Sequence, residues 1–432
     1  MVSAILGGPL IDGTGRDPVA NGIVIVDGGR IVAAGAADAI ALPKGVRVYD
    51  AAGRAILPGF VDCHVHCTYR ARDHKEHLKT PPTYNIFKSQ EILRDTLECG
   101  VTTARDTGGA DAGFRQAVAD GIIAGPRLLV AIAMMCQSGG HGDCWVTAGF
   151  RVPKRFWLPE HVADGVDPVR KMARELLMAG ADFLKICTTG GITSLTDDFD
   201  ETQFSIEEIR VVVAETAARS TGVAVHAEGL AGIKLALEAG GIYSLEHGWF
   251  FDEECLDMMI EQGTWWVPTL ALVPEGVRHR TANPKWASQG IADEARKEEV
   301  IVARLREQIP LYKHAREKGL KIAMGTDQSH RLLTGENLVE LAYMVEYLGM
   351  TPMEAIVSAT ETAAQCLNMP DVGTLEAGKF ADAVVFDGDP LADIAAMREA
   401  ARFHLVMKGG EVFKDTLAEG AVQPQPADAA TA

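Results

Sequence analysis

Four histidines, one lysine and one aspartate stand where metal-dependent chemistry could occur. His64 and His66 close an apolar run, and because residues two apart in an extended segment point to the same side, both imidazoles can bind one metal ion. Polar residues also close later apolar runs: Lys185, His226, His247 and Asp327. Each of these residues alone would be an ordinary polar side chain or a cap, but together they predict a metal site.

The elements that must position these residues alternate between two kinds. Short apolar runs that are candidate strands cover residues 55–62, 101–106, 127–134, 183–187, 223–227, 242–246, 265–269 and 321–325. Amphipathic segments that are candidate helices cover residues 167–179, 205–221, 292–318 and 337–348. This alternation predicts an α/β fold with parallel strands, and eight units predict a closed (β/α)8 TIM barrel with its active site at the C-terminal ends of the strands. An open doubly wound sheet is the alternative.

The sequence pattern at both ends of the chain is typical of short strands and turns. We therefore expect a small β-sandwich domain formed by residues 1–56 and 372–415, beside a hydrolase barrel over residues 57–371. Residues 416–432, rich in Ala, Pro, Gln and Asp, are expected to form a disordered tail.

Composition limits the classes of partner. A net charge of −18 argues against a nucleic acid or a membrane surface as partner. No apolar run is long enough to cross a membrane, and the first residues lack the features of a signal peptide, so we expect a cytoplasmic protein, although a removed signal peptide stays open. The eight scattered cysteines form no Cys-x-x-Cys pair and are expected to be free, mostly buried thiols.

The motifs resemble those of the amidohydrolase superfamily across nearly the whole chain. The matching pieces are residues 58–66 (Pro-Gly-Phe-Val-Asp-Cys-His-Val-His), Lys185, His226, His247, residues 325–327 (Gly-Thr-Asp) and the closing segment 373–382. The resemblance implies the binuclear branch, in which CO2 converts the lysine into a carbamate that bridges two divalent metal ions. By that resemblance His64, His66 and Asp327 hold one ion, and His226 and His247 hold the other. Zn²⁺ is the expected metal, with iron, cobalt and manganese as alternatives.

The resemblance also implies a reaction, the hydrolysis of an amide or peptide bond. A water shared by two metal ions would ionise near neutral pH, and Asp327 would accept its proton and deliver it to the leaving amine. His141, in the segment Gly139-Gly140-His141-Gly142, is the expected donor to the developing oxyanion. This segment resembles that of prolidase-like dipeptidases, imidazolonepropionase relatives and ochratoxin-hydrolysing members.

The expected substrate is a small amide with a free carboxylate on its amine side. N-acyl amino acids, dipeptides of the prolidase or carboxypeptidase type, and ochratoxin A, split into ochratoxin alpha and phenylalanine, fit this description. The candidate substrate-binding residues lie in loops beside the metal ligands: Tyr69, Arg70, Gly190, Gly191, His330 and Arg331.

Two other readings stay open. Glu228, two residues after His226, could be the proton shuttle of a mononuclear deaminase or a cyclic-amide hydrolase, which would need no bridging lysine. A non-enzymatic assembly protein is disfavoured because every expected ligand type is present. Relatives imply a homo-oligomer, from dimer to octamer.

Overall fold

A computed structural model describes residues 2–68, 79–143, 145–146, 148–151, 155, 157–192, 197–282, 292–329, 332 and 334–417. Its strands are β1 (Ser3–Leu10), β2 (Val19–Asp27), β3 (Arg30–Ala36), β4 (Arg47–Asp50), β5 (Ala55–Pro58), β6 (Phe60–Val65), β7 (Val101–Asp106), β8 (Arg127–Val130), β9 (Met134–Met135), β10 (Trp145–Val146), β11 (Phe150–Arg151), β12 (Leu184–Cys187), β13 (Val223–Ala227), β14 (Ser244–His247), β15 (Trp265–Val267), β16 (Ala383–Phe386), β17 (Phe403–Lys408) and β18 (Glu411–Asp415).

The helices lie mainly between the strands of the middle region. They are α1 (Pro82–Glu98), α2 (Ala112–Ala119), α3 (Val166–Met178), α4 (Ile206–Ala217), α5 (Leu230–Ala239), α6 (Glu253–Gln262), α7 (Leu272–Ala282), α8 (Ala292–Glu317), α9 (Glu340–Leu348), α10 (Pro352–Ser358) and α11 (Glu361–Cys366), with 3₁₀ turns at Asn337–Val339, Ile394–Arg398 and Ala400–Arg402. Among the described residues, no helix has the length and apolar character needed to cross a bilayer.

The two ends of the chain share one mixed sheet of eight strands. Its order is β18-β17-β16-β5-β1-β2-β3, with β4 beside β1. The antiparallel pair of β5 and β16 joins the N-terminal segment to the C-terminal segment. Thr416 and Leu417, the first residues of the predicted tail, contact this sheet, and Leu417 is buried in its apolar cluster. Residues 418–432 lie outside the described residues.

The middle of the chain builds two parallel sheets, of order β6-β7-β8 and β15-β14-β13-β12-β9. Residues 321–328 lie between β15 and β6: the Trp266 amide donates to the Lys321 carbonyl (2.9 Å), and the Cys63 amide donates to the Met324 carbonyl (3.0 Å). The strands β6, β7, β12, β13 and β14 are fully buried, as expected of parallel strands with both faces covered. The predicted parallel α/β organisation is confirmed, and closure into a complete barrel stays a prediction.

Two predicted strands are interrupted in the structure. Residues 55–62 form two strands, because a Cβ at Gly59 would come within 2.1 Å of Thr102 Oγ1 and the chain passes there from one sheet to the other. The predicted domain boundary between residues 56 and 57 therefore falls inside β5. Residues 127–134 form β8 and β9, which are separated where Ile132 takes a positive φ of 69°. Such a conformation is costly for a β-branched residue and ends regular pairing.

The termini of the predicted helices follow from their caps. α4 begins at Ile206 because the Ser205 hydroxyl accepts from the Glu208 amide while the Glu208 side chain accepts from the Ser205 amide. The thiols also behave as predicted: all seven cysteines that the structure describes are free and buried.

Candidate metal centre and active site

The six predicted ligands lie together at the C-terminal ends of the parallel strands. His64 and His66 close β6, Lys185 lies in β12, His226 in β13, His247 ends β14, and Asp327 follows the segment beside β6. The ring centroids of His64 and His247 are 5.0 Å apart, and those of His226 and His247 are 4.6 Å apart. His66 Nε2 lies 3.2 Å from Asp327 Oδ1. Ligand atoms of His64, His247 and Asp327 all lie within 4.8 Å of one another; these three residues are called the His64 group below.

Each of the four imidazoles has one ring nitrogen within hydrogen-bond distance of an oxygen atom of another residue. The contacts are His64 Nδ1 to Glu246 Oε2 (2.7 Å), His66 Nδ1 to the Gly108 carbonyl (2.7 Å), His247 Nδ1 to Thr269 Oγ1 (2.7 Å) and His226 Nε2 to the Gly190 carbonyl (3.0 Å). The second nitrogen of each ring is then the one that a metal ion could bind; for His66 this is Nε2, which lies near Asp327 and 3.4 Å from Thr107 Oγ1. This arrangement, with one nitrogen anchored and the other turned to a metal, is usual for metal-binding histidines. The residues therefore fit a metal centre.

Lys185 is buried in the middle of this cluster. Its Nζ has no hydrogen-bond partner among the residues that the structure describes, although it is fully shielded from solvent. Burial lowers the pKa of Lys185. A buried amine without a partner is costly, and the neutral form of an amine is the one that reacts with CO2. The site thus fits the carbamate that the sequence resemblance implies.

The electrostatics keep the cluster in forms that bind metals. Burial, followed by nearby positive groups, lowers the pKa of His64, His226 and His247 well below the usual range, so these rings are neutral. Burial by itself would raise the pKa of Asp327, but the hydrogen bond from His66 and the proximity of His64 outweigh it and hold that pKa well below its usual range. Neutral imidazoles facing an ionised carboxylate are the forms that a divalent cation requires.

Two of the ligands are aimed by unusual backbone conformations. His247 and Asp327 have φ values of 65° and 53°. In β14, Ser244 and Glu246 share the face that Arg105 contacts, so a regular strand would turn His247 to the opposite face. The left-handed conformation changes that direction. Non-glycine residues with positive φ carry strain and cluster at functional sites.

Sequence reasoning missed the groups that hold these ligands. Arg105 donates to Glu246 Oε1 (2.7 Å) and to the Cys63 carbonyl (2.6 Å), which forms a buried chain from Arg105 through Glu246 to His64. The sequence feature that could have revealed them is a charged residue within a buried strand: Arg105 in β7 and Glu246 in β14.

Asp62 is a second missed group. It is fully buried and accepts from Thr326 Oγ1 (2.6 Å), Asn337 Nδ2 (3.0 Å) and the His64 amide (3.1 Å). Burial raises the pKa of Asp62 to about 6 despite these hydrogen bonds. Asp62 therefore ties β6 to the segment that carries Asp327.

His141 lies beside the metal ligands, as its predicted role requires. Its ring stacks on His226 with centroids 4.3 Å apart and planes 13° apart. Asp197 Oδ2 lies 3.6 Å from His141 Nδ1, and Gln203 both accepts from the His141 amide (2.9 Å) and donates to Asp197 (2.9 Å). Gln203 thus fixes the backbone of the loop histidine, and Asp197 lies just beyond hydrogen-bond distance of its ring.

Of the six predicted substrate-binding residues, the structure describes Gly190 and Gly191. The Gly190 amide donates to the Glu201 carbonyl (3.0 Å), and the Gly191 amide faces Asp197 Oδ1 (3.4 Å). These internal contacts do not support the predicted use of either amide to bind a substrate carboxylate. A Cβ on Gly191 would lie 2.4 Å from His141 Cε1, so this glycine makes room for the ring. Tyr69, Arg70, His330 and Arg331 lie outside the described residues.

A second group also has the spacing of metal ligands: Glu275, His279 and Glu336, called the Glu275 group below. Two arginines contact it. Arg398 Nη2 lies 2.9 Å from Glu275 Oε2 and 3.4 Å from Glu336 Oε1, and Arg278 Nε lies 2.5 Å from Glu275 Oε2. His279 Nε2 lies 3.1 Å from Glu336 Oε2.

Comparisons with known proteins agree with this geometry. The model of the Amidohydrolase family matches residues 55–413. Ochratoxinase from Aspergillus niger is 32% identical over 96% of this chain and 87% of its own length. Imidazolonepropionase from Symbiobacterium thermophilum is 28% identical over 85% of this chain and 84% of its own.

Solved structures are also similar to this chain. The crystal structure of a prolidase complexed with N-methylphosphonate-L-proline is 32% identical, with a TM-score of 0.86 over 96% of this chain and 100% of that one. The family fold is TIM-barrel-like, with α/β content and additional sheets. The chain belongs to the amidohydrolase family and is a hydrolase.

Proposed function

We propose that this enzyme uses two divalent metal ions to hydrolyse an amide or peptide bond in a small substrate that carries a free carboxylate on its amine side. One observation carries the proposal: the buried Lys185 amine has no hydrogen-bond partner in the described part of the chain, and it lies among four imidazoles and a carboxylate. A protonated lysine at this position would be a buried positive charge without a partner among the described residues. Its carbamate would instead be an anionic ligand for two cations.

The proposed ligand sets are those that the sequence resemblance implies. His64, His66 and Asp327 would hold one ion, His226 and His247 would hold the other, and carboxylated Lys185 would be a further anionic ligand, with Zn²⁺ as the proposed metal. When bound, such a pair of ions supplies a water that ionises near neutral pH and a Lewis acid for the scissile carbonyl.

The chain's own groups move the protons. The Asp327 side chain keeps 14% of its surface exposed, unlike the almost fully buried His64, so it can meet both the water and the substrate. We assign to Asp327 the transfer of a proton from the attacking water to the leaving amine. His141, whose amide donates to Gln203 and whose ring stacks on His226, is the proposed donor to the oxyanion.

The relatives support the substrate class. The matched prolidase was crystallised with a phosphonate of L-proline, and the matched relative from Aspergillus niger is named ochratoxinase. N-acyl amino acids, X-Pro dipeptides and ochratoxin A are therefore the proposed candidate substrates, which would make the enzyme a small-molecule peptidase or amidase.

A second candidate is a mononuclear deaminase or a hydrolase of cyclic amides like imidazolonepropionase. The observation in its favour is that Glu228 Oε1 lies 3.9 Å from His226 Nε2, so this buried carboxylate adjoins one of the candidate ligands. Lys185 would then have no role in the chemistry.

Metal content and substrate choice test the proposal together. The zinc-loaded protein, prepared with bicarbonate, is screened against N-acetyl amino acids, X-Pro dipeptides, ochratoxin A and imidazolone propionate, and bound zinc is counted. Two ions per chain with release of a free amino acid support the proposal. One ion after saturation, or hydrolysis of the cyclic amide alone, favours the second candidate.

The remaining features of the proposal concern organisation. We propose that the two parallel sheets and residues 321–325 close into a (β/α)8 barrel over about residues 57–371, and that the terminal segments 1–56 and 372–415 form a two-layer β domain. A homo-oligomer and a cytoplasmic location complete the proposal. Light scattering of the metal-loaded protein measures the oligomer.

A further inference from the structure

We infer that Glu340 and Thr269 position His247 for metal binding, an inference that rests on the proposed function. Neither residue is among the proposed ligands. Together they form a buried, hydrogen-bonded path that runs from the start of α9, through the turn after β15, to the imidazole that ends β14. Both are positioning residues, since they act on the metal centre through His247.

Thr269 supplies the contact with the ligand. It is fully buried, and its Oγ1 lies 2.7 Å from His247 Nδ1. The hydroxyl therefore occupies one ring nitrogen of His247 and leaves Nε2 as the one that a metal ion could bind. Contacts of this kind fix the orientation and the tautomer of a metal-binding histidine.

The backbone of Thr269 is strained. Its φ is 48°, in the left-handed region, which is uncommon for any residue except glycine and an outlier for a β-branched one. Such a conformation persists only where the surrounding contacts enforce it. On one side of the turn, the carbonyl of Pro268 accepts from Trp249 Nε1 (2.8 Å). The other side of the turn is fixed by Glu340.

Glu340 binds the two amides that follow Thr269. Its Oε1 accepts from the Leu270 amide and its Oε2 accepts from the Ala271 amide, each at 2.7 Å. The side chain is fully buried and belongs to the first residue of α9. Because consecutive amides engage both oxygens, the carboxyl group fixes the two peptide units directly after Thr269. The turn, and with it the Thr269 hydroxyl, is thereby held against His247.

The same contacts could also serve the fold alone. Because α7 begins at Leu272, the Leu270 and Ala271 amides stand at its N-terminus, where a helix needs acceptors. A capping role predicts that a change at Glu340 lowers stability and leaves metal affinity unchanged. A positioning role predicts a lower affinity for the ion that His247 binds, and that loss must pass through Thr269.

A double-mutant cycle tests the positioning role. Zinc affinity is measured by competition with a chelator of known affinity in the wild type, E340Q, T269V and the double variant. The carboxamide in E340Q keeps one acceptor oxygen but turns an NH2 group toward the second amide. We expect the affinity for one of the two ions to fall about 10-fold in E340Q and about 10- to 100-fold in T269V. The double variant should lose no more than T269V, because residues on one path are not independent.

Two controls separate positioning from folding. T269S keeps the hydroxyl group and should keep the zinc affinity. Glu208 also accepts from two backbone amides, those of Gly165 (2.6 Å) and Ser205 (2.7 Å), at the start of α4. E208Q should therefore lower the melting temperature without changing zinc affinity.

The number of bound ions separates this inference from the proposed function. Two ions in the wild type with unchanged affinities in E340Q, or an equal loss from E340Q with and without T269V, overturn the inference and leave the proposed function standing. If E340Q does not fold, an unchanged affinity in T269V overturns the inference. One ion in the wild type refutes the proposed function, and the inference then holds only if the affinity for that ion falls in E340Q and T269V. No bound zinc refutes both.

Discussion

The His64 group and the Glu275 group both bring three potential ligand atoms within 4.8 Å, but they differ in the charges that face them. In the His64 group, Asp327 Oδ1 lies 3.8 Å from His64 Nε2, and the Nδ1 atoms of His64 and His247 contact Glu246 and Thr269. In the Glu275 group, Arg398 contacts both carboxylates and Arg278 contacts Glu275. The first group has an unneutralised anion among neutral donors, and the second is already neutralised.

This difference shows that ligand spacing alone does not define a metal centre. A divalent cation placed in the Glu275 group would have to displace two guanidinium groups or face their repulsion. A cation in the His64 group would meet neutral imidazoles whose orientation is already fixed. The following predictions test whether this distinction holds in solution, from the largest expected effect to the smallest.

Lys185→Ala should have the largest effect. Hydrolysis should fall by about 10³-fold or more, because the second ion loses its bridge and the water loses its activation. Bound zinc should fall from two ions per chain to one or fewer, as measured by elemental analysis. Lys171→Ala, on the exposed face of α3, is the matched control and should keep both activity and zinc. Full turnover in K185A would refute the bridge.

Glu246→Gln should weaken metal binding without removing a ligand. The amide cannot replace the charge that holds His64 Nδ1, so zinc affinity should fall about 10- to 100-fold, as is usual when such a partner is lost. Competition with a chelator of known affinity measures this change. Glu336→Gln makes the equivalent change beside His279 and should leave zinc affinity unaltered. Equal losses in the two variants would remove the distinction between the groups.

Glu275→Gln should cost stability and not zinc. Glu275 is nearly fully buried, and its loss leaves Arg398 and Arg278 without their main partner, so unfolding free energy should fall by about 2 kcal/mol. Urea denaturation measures the fall, and zinc content is determined on the same samples. Loss of a zinc ion in E275Q would mean that the Glu275 group binds metal after all.

The smallest effect concerns pH. Burial would raise the pKa of Glu275, but the hydrogen bonds from Arg398 and Arg278 outweigh it and leave that pKa below its usual value. A carboxyl whose folded pKa is lowered contributes stability above its unfolded pKa, about 4.5, and loses that contribution as the pH falls through the folded pKa. Between pH 6 and pH 3.5 the wild type should therefore lose more thermal stability than E275Q. Parallel melting curves would contradict this account.

The sequence indicated the candidate ligands, which the structure brings together, but not the residues that contact them from behind. His64, His226 and Lys185 could be found because a polar residue in a buried apolar strand is conspicuous. The partners of Glu246 were hidden, because it contacts His64 and Arg105, which lie on strands far from it in the chain. The positive φ that aims His247 was hidden as well, because no pattern in the residues predicts it.

The departures in the fold have similar causes. The break at Gly59 reflects contact with Thr102, and the one at Ile132 reflects a left-handed turn. The Glu275 group joins α7, the turn before α9 and the 3₁₀ turn Ile394–Arg398, which lie far apart in the chain. Spacing along the sequence could not reveal a cluster that only tertiary packing assembles.

The pairing of β5 with β16 has a consequence for synthesis of the protein. β5 leaves the ribosome early, whereas β16 and β17 are among the last elements to emerge. During translation of the whole middle region, β5 therefore presents an unpaired strand edge, which is a template for aggregation. Only Gly59 separates β5 from β6, the strand that carries His64, so the candidate metal centre is anchored to a sheet that stays incomplete until β16 and β17 have been made.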